Sequence, residues 1–277
     1  MINQITNYIY SINMRVEIPP SLDYEETSKK IVDELRNYLR KNGFDRAVMG
    51  LSGGLDSSTT LMLTVKAVGP ENTYVYVMPS KATPRKSIDD AISMIKLAGI
   101  PETNWRKIDI EPIIKCYDGI LNFEDNVIRG NTMARIRMSI LYAEAKRLNA
   151  MVIGTGDKSE LLIGYFTKYG DGGVDILPIG DIYKTQLRGL AKYLGIPDDI
   201  AFKPSSPELW VGHTAEGELG LSYERIDGIL YLFYDLKKDV EEIEKYGYSR
   251  DEIDLVLNRY YKSMHKRSLP PIIKIST

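Results

Sequence analysis

The chain has 277 residues, 43% of them hydrophobic, enough to bury a sizeable core in one large domain or a domain with an appendage. Lys and Arg total 36 against 38 Asp and Glu, and a net charge of -2 argues against a nucleic-acid partner, which calls for a basic footprint. The single cysteine, Cys116, excludes an internal disulfide and a cysteine-built zinc site, and reads as a small buried residue.

In chain order, the opening stretch MINQITNYIYSINMR lacks the basic start, apolar centre and cleavage site of a secretory signal. No later run reaches the apolar length of a membrane span, so a soluble, cytoplasmic protein without a membrane partner is expected. Ile31, Leu35, Tyr38 and Leu39 share one helical face, and Gly43 follows as a helix stop. Strands are expected at Ala47–Leu51, Thr73–Met78, Trp105–Ile110 and Met151–Gly154, each followed by a stretch of helical length. Residues 57–68 are apolar nearly all round, as in a helix laid against the centre of a sheet. A second helix is expected over 132–148, burying Met133, Ile136, Ile140 and Ala143. Glycines mark 166–178 as a loop, and prolines and serines mark 203–207 as another. Beyond Glu224 the pattern turns helical, with an apolar stripe of Ile253, Val256, Tyr260 and Met264. The whole reads as an α/β fold: a single doubly wound parallel sheet flanked by helices, with a helical C-terminal part. It divides into N-terminal helices (1–43), an α/β core (44–200) and a loop with the C-terminal helical part (201–277).

The segment GLSGGLDSS, residues 50–58, stands where the first strand turns into its helix. Gly53 and Gly54 remove side chains there, so backbone N–H groups and the positive helix end can approach an anion, and phosphate is the usual occupant. Ser52, Ser57 and Ser58 add hydroxyl donors without bulk. Asp56 is the unusual member: a carboxylate beside phosphates is repelled unless a cation lies between, which points to Mg²⁺. Read locally, Asp56 could equally be a helix cap. The P-loop pattern is absent; its nearest approach, GTGDKS at 154–159, has Asp157 in place of the lysine.

SGGLDSS resembles the pyrophosphate-binding loop of the ATP pyrophosphatase superfamily, of adenine nucleotide alpha hydrolase-like fold. Those enzymes cleave ATP between the α and β phosphates and adenylylate a carbonyl or carboxylate oxygen. The loop alone leaves open several branches, among them GMP synthetase and tRNA-thiolating enzymes. Three further segments, GNTMARIRMSILY (130–142), GTGDKSELLIGYFTKYGDGGVDILPIGDIYKTQ (154–186) and HKR (265–267), resemble the ammonia-dependent NAD synthetase family, in that order.

The resemblance implies a ligase that amidates deamido-NAD with ATP and free ammonia, giving NAD, AMP and pyrophosphate, and a homodimer. It implies Mg²⁺ held by Asp56 and Glu160, which with Lys184 form the catalytic group. ATP contacts carry over to Gly50, Leu51, Ser52, Gly53, Gly54, Leu55, Asp56, Ser57, Thr155, Lys184 and Ser206. Ser206 departs mildly from the family, where Thr is frequent. Deamido-NAD contacts carry over to Arg135, Lys168, Asp175, His265 and Lys266. Arg135 and Arg137 lie about 200° apart on a helix, so both cannot face one ligand, and the family register selects Arg135. A rival of another class is a nucleotide sensor on the same fold, which would bind ATP and release no pyrophosphate.

Overall fold

The computed structural model describes residues 19–206 and 214–275. The first helix, α1 (Tyr24–Lys41), starts where Asp23 accepts a hydrogen bond from the Glu26 N–H, and it ends at Asn42, with Gly43 at φ +79°. It buries Val32, Leu35 and Leu39. Tyr38 instead faces outward and donates its hydroxyl to the Asp175 carbonyl at 3.3 Å. The expected helices before residue 19 lie outside the described residues.

Next come β1 (Ala47–Gly50), α2 (Leu55–Val68), β2 (Thr73–Val77), α3 (Arg85–Leu97) and β3 (Trp105–Lys107). They are followed by α4 (Glu111–Leu121), α5 (Asn126–Leu148), β4 (Met151–Val152), α6 (Lys158–Ile163), α7 (Lys184–Tyr193) and α8 (Asp198–Ala201). The C-terminal part holds α9 (Ala215–Leu219), α10 (Tyr223–Leu230), α11 (Val240–Glu244) and α12 (Arg250–Lys262).

The four strands form one parallel sheet in the order β3-β2-β1-β4, with Ala47 opposite both Thr73 and Met151. Strand periodicity decides which side chain goes to which layer. Ala47, Met49, Val75 and Val77 point into the core shared with α1, α2, α3 and α7, while Val48, Tyr76 and Val152 point into the core shared with α4 and α5. Ala47, Val48 and Met49 are fully buried, so β1 reads as an unbroken apolar run, as a strand covered on both faces must. A third apolar cluster joins α9, α10 and α12 to Leu162, Ile163 and Tyr183, and so ties the C-terminal helices to α6 and the start of α7.

Four local readings differ from expectation. α5 starts at Asn126, six residues before Thr132, because Asp125 accepts from the Ile128 N–H at 2.7 Å. On that helix Ala143 faces solvent and Glu144 is buried, its carboxylate satisfied by the Tyr76 hydroxyl at 2.8 Å and Arg147 at 2.7 Å. Met264 is exposed, because α12 stops at Lys262 and the chain tightens into a 3-10 turn that breaks the helical period. Cys116, expected to be buried, is exposed on α4.

The chain runs from β1 to β2 on one side and reaches β4 on the other, so connections leave the carboxyl ends of β1 and β4 in opposite directions. Open α/β sheets place their ligand crevice at such a switch point.

Candidate active site

The crevice is a cavity of about 540 Å³ lined by the carboxyl ends of β1, β2 and β4, by α5 and by the C-terminal helices. That size suits a small organic ligand. At its floor, Gly53 takes φ +78°, and a Cβ there would collide with the Ser87 carbonyl of α3. Only glycine meets both demands. Ser52 and Ser57 brace the loop through their hydroxyls at 3.0 Å, and the Ser57 hydroxyl also receives the Ser52 N–H at 3.2 Å. Gly54 caps α2 without a side chain, so the first N–H groups of that helix stay directed at the cavity. Asp56 is therefore not the cap; it stands in the first turn and turns away from its own helix.

Its partner is Lys184. The Lys184 ammonium donates to Asp56 Oδ1 at 2.6 Å and to Glu160 Oε1 at 2.9 Å, and stands 2.9 Å from Asp157 Oδ2. Lys184 and Asp157 are fully buried, while Asp56 and Glu160 keep about a quarter and a fifth of their side chains exposed to the cavity. The Tyr223 ring lies 5.2 Å from the ammonium. Each position follows from a helix start. Asp157 caps α6 by accepting from the Glu160 N–H at 2.9 Å, which sets Glu160 at the helix mouth, and Lys184 is the first residue of α7.

Three carboxylates around one ammonium leave surplus negative charge. Burial and the neighbouring carboxylates push Glu160 well above the usual glutamate value, against the pull of Lys184. Burial likewise pushes Asp157 up to about 6. For Lys184 burial works downward, yet Asp157, Asp56 and Glu160 overcome it and hold the ammonium charged. Oxygen atoms from the three acids lie within 4.8 Å of one another, a hard donor set of the kind that holds Mg²⁺.

Of the residues expected to contact ATP, Gly50, Leu51, Ser52, Gly54, Leu55, Asp56, Ser57, Thr155 and Ser206 line the cavity, and Gly53 packs behind it on α3. Lys184 is buried beneath the two lining acids. The residues expected to contact the dinucleotide divide. Arg135 donates to the Lys168 carbonyl at 3.3 Å and Lys168 to the His265 carbonyl at 2.8 Å, gathering these three at one place on the surface. Lys266 joins them by donating to the Gly164 and Phe166 carbonyls at 2.8 and 2.7 Å. Asp175 is bound into the sheet instead, accepting from the Val152 N–H at 2.8 Å and the Tyr142 hydroxyl at 2.9 Å.

Two members of the site were not expected from sequence. In the sequence Asp157 stands where a P-loop needs lysine, while Asp-x-x-Glu at 157–160 carries a capping-box signal. Arg137, whose Nε donates to the Met78 carbonyl at 3.1 Å, lines the cavity at the end of β2.

A glycine-rich turn at the switch point of a parallel sheet, facing acids gathered on a buried lysine, defines a nucleotide-binding α/β protein. The NAD synthase family profile matches residues 27–270. An NH(3)-dependent NAD(+) synthetase of Sulfurisphaera tokodaii is 47% identical over 257 residues, covering 92% of this chain and 91% of that one. The solved NH3-dependent NAD synthetase of Campylobacter jejuni, in complex with nitrate, superposes with a TM-score of 0.78 at 28% identity, over 92% of this chain and all of that one. The NMN synthetase of Francisella tularensis superposes with a TM-score of 0.81 at 34% identity and the same coverage. The chain belongs to the NAD synthase family.

Proposed function

We propose that this protein amidates deamido-NAD with ammonia at the expense of ATP, giving NAD, AMP and pyrophosphate. The observation that carries this reading is the trio of Asp56, Asp157 and Glu160 drawn onto Lys184 beside the glycine-rich turn. The nicotinate carboxylate is a poor electrophile, since its leaving group would be oxide. Attack of that carboxylate on the α-phosphorus releases pyrophosphate and gives an acyl adenylate. Ammonia then adds to the carbonyl carbon, AMP leaves with the C–O bond electrons, and the added nitrogen sheds a proton to solvent.

The protein's share is positioning and charge. Residues 50–57 offer N–H groups and hydroxyls to the polyphosphate, with Thr155 and Ser206 across the cavity. Lys184, held charged, supplies the fixed positive charge. Arg135, Lys168, His265 and Lys266 recognise the dinucleotide, and Asp175, held by the Val152 N–H and the Tyr142 hydroxyl, is the fifth residue proposed for it. Asp56 and Glu160 fit Mg²⁺, with Asp157 behind them, because hard oxygens with surplus negative charge are gathered there. Bound there, the ion would supply charge neutralisation for the pyrophosphate.

A cytoplasmic location is part of the proposal; separately, no helix among the described residues is long and apolar enough to cross a membrane. It is assigned as a homodimer, supported by the exposed Ile120, Leu121 and Val127 around the α4–α5 turn.

The test is to incubate the purified protein with ATP, Mg²⁺, deamido-NAD and ammonium and to follow the products by chromatography. Equimolar NAD, AMP and pyrophosphate are expected, with little NAD when glutamine replaces ammonium. Faster amidation of nicotinate mononucleotide than of deamido-NAD would change the substrate. Release of ADP in place of AMP would overturn the reaction class, and tight ATP binding without turnover would favour the sensor.

A further inference from the structure

α10 does not line the floor of the cavity, yet two of its residues, Tyr223 and Asp227, are directed at the catalytic cluster from behind. They are four residues apart, on one helical face, and both are fully buried. Tyr223 lays its ring near the Lys184 ammonium. Asp227 accepts three hydrogen bonds: from the Ser159 hydroxyl at 2.5 Å, the Thr185 N–H at 2.9 Å and the Thr185 hydroxyl at 2.8 Å. Ser159 in turn receives the Lys184 N–H at 2.9 Å.

These bonds have a common geometry. Ser159 is the second residue of α6, between Asp157 and Glu160, and Thr185 is the second residue of α7, next to Lys184. The first N–H groups of a helix have no partners within it. In α7 two of them are satisfied from outside, Lys184 N–H by Ser159 and Thr185 N–H by Asp227. The bridge Thr185–Asp227–Ser159–Lys184 therefore fixes one helix start against the other. It sets how far the Lys184 ammonium stands from the Glu160 and Asp157 carboxylates.

The chemistry explains why an aspartate occupies this place. Three donors converge, and a carboxylate is acceptor-only with two oxygens, whereas an asparagine would turn an NH2 group toward one of them. Among the described residues no cation pairs with Asp227, and a carboxylate buried without a counter-ion is costly. A cheaper apolar contact would join α10 to α6 equally well, but it would not orient two helix starts.

We propose that Asp227 is a positioning residue for the reaction, acting through Ser159 and Thr185 to hold Lys184 in register with Glu160. It touches neither substrate nor metal. The inference rests on the reading of that cluster as the ATP and Mg²⁺ site.

The experiment is a double-mutant cycle on the full-length enzyme, with Asp227→Asn, Ser159→Ala and both together. For each variant, kcat, the KM values for ATP and deamido-NAD, and the Mg²⁺ concentration giving half-maximal rate are measured on protein shown by circular dichroism to be folded. Asp227→Asn should lower kcat about tenfold or more, since small misplacements of catalytic groups are expensive, and should raise the Mg²⁺ requirement several-fold. The KM for deamido-NAD should stay within about twofold, because that site is built from other elements. The double variant should lose little beyond either single one, because both cut the same bridge. Should Asp227→Asn fail to fold, Thr185→Val, which deletes one donor to the same carboxylate, should reproduce the Mg²⁺ and kcat effects on a smaller scale. Unchanged kcat and Mg²⁺ dependence in folded variants, or losses that simply add, would overturn the inference. A wild-type enzyme that makes no NAD would instead overturn the functional reading beneath it.

Discussion

Of the three acids gathered on Lys184, Asp56 and Glu160 reach the cavity, and removing either should impair turnover far more than folding. Asp56→Ala is expected to lower kcat/KM by about a hundredfold to a thousandfold, the scale seen when a group stabilising developing charge is lost. Its melting temperature should stay near that of the parent, because Asp56 keeps about a quarter of its side chain exposed and its loss relieves like-charge crowding. Kinetics and a thermal melt on one preparation check both halves. Asp227 makes a prediction of a different kind. Burial pushes it up to about 7, against the pull of its three hydrogen bonds. A carboxyl raised in the fold contributes stability that is full below its unfolded value, near 4, and is lost as pH rises through about 7. The enzyme without Mg²⁺ should thus melt at a lower temperature at pH 8 than at pH 5, and Asp227→Asn should flatten that slope. Melting curves across this range, with the variant as control, decide it; equal slopes would remove Asp227 as the cause.

The elements that carry the site were legible to different degrees. β1 was plain, since Ala47, Val48 and Met49 form an apolar run that ends at a glycine-rich turn. The start of α5 was missed because Gly130, Asn131 and Thr132 interrupt the apolar pattern after Val127 and Ile128, so the side-chain cap that Asp125 gives the Ile128 N–H went unread. Asp157 was missed for a subtler reason. A capping aspartate is locally sufficient, and nothing within six residues of it foretells a lysine 27 positions on that will use its second oxygen. Gly53 shows the opposite case, where local chemistry points to glycine and long-range packing repeats the demand through Ser87. Gly53→Ala should cost about 2 kcal/mol or more from strained backbone and collision together, and should abolish ATP binding. Chemical denaturation and calorimetric titration with ATP test the two effects separately. A variant that keeps full ATP affinity would show that the loop tolerates a different path.

At the scale of the molecule, the three apolar clusters account for how distant segments meet. Two sandwich the sheet, and the third fastens the C-terminal helices onto α6 and Tyr183. Sequence periodicity predicted the first two, because strands and helices each carry their own pattern. For the third it gave only the α12 stripe of Ile253, Val256 and Tyr260 and not its partners, since the docking of α10 against α6 joins residues 60 or more positions apart through side chains with no local signature. Outside these clusters, Ile120 and Leu121 are exposed at the end of α4, and Val127 is exposed at the start of α5, where it also lines the cavity. If the proposed dimer uses this face, Ile120→Glu with Leu121→Glu should leave a monomer in light scattering and lower deamido-NAD turnover. A monomeric parent chain would refute the dimer directly.

The buried lysine has a further consequence for the order in which the site fills. With its ammonium already seated among three acids, the resting site neutralises part of its own charge, so a solitary divalent cation gains less there than it would among bare acids. A cation escorted by ATP is different, because the incoming phosphates give that ammonium somewhere else to turn. Filling is then an exchange of partners, and an idle enzyme neither hoards metal nor holds its acids bare. Titration with Mg²⁺ alone should show weak uptake, and uptake should tighten sharply once an uncleavable ATP analogue is present.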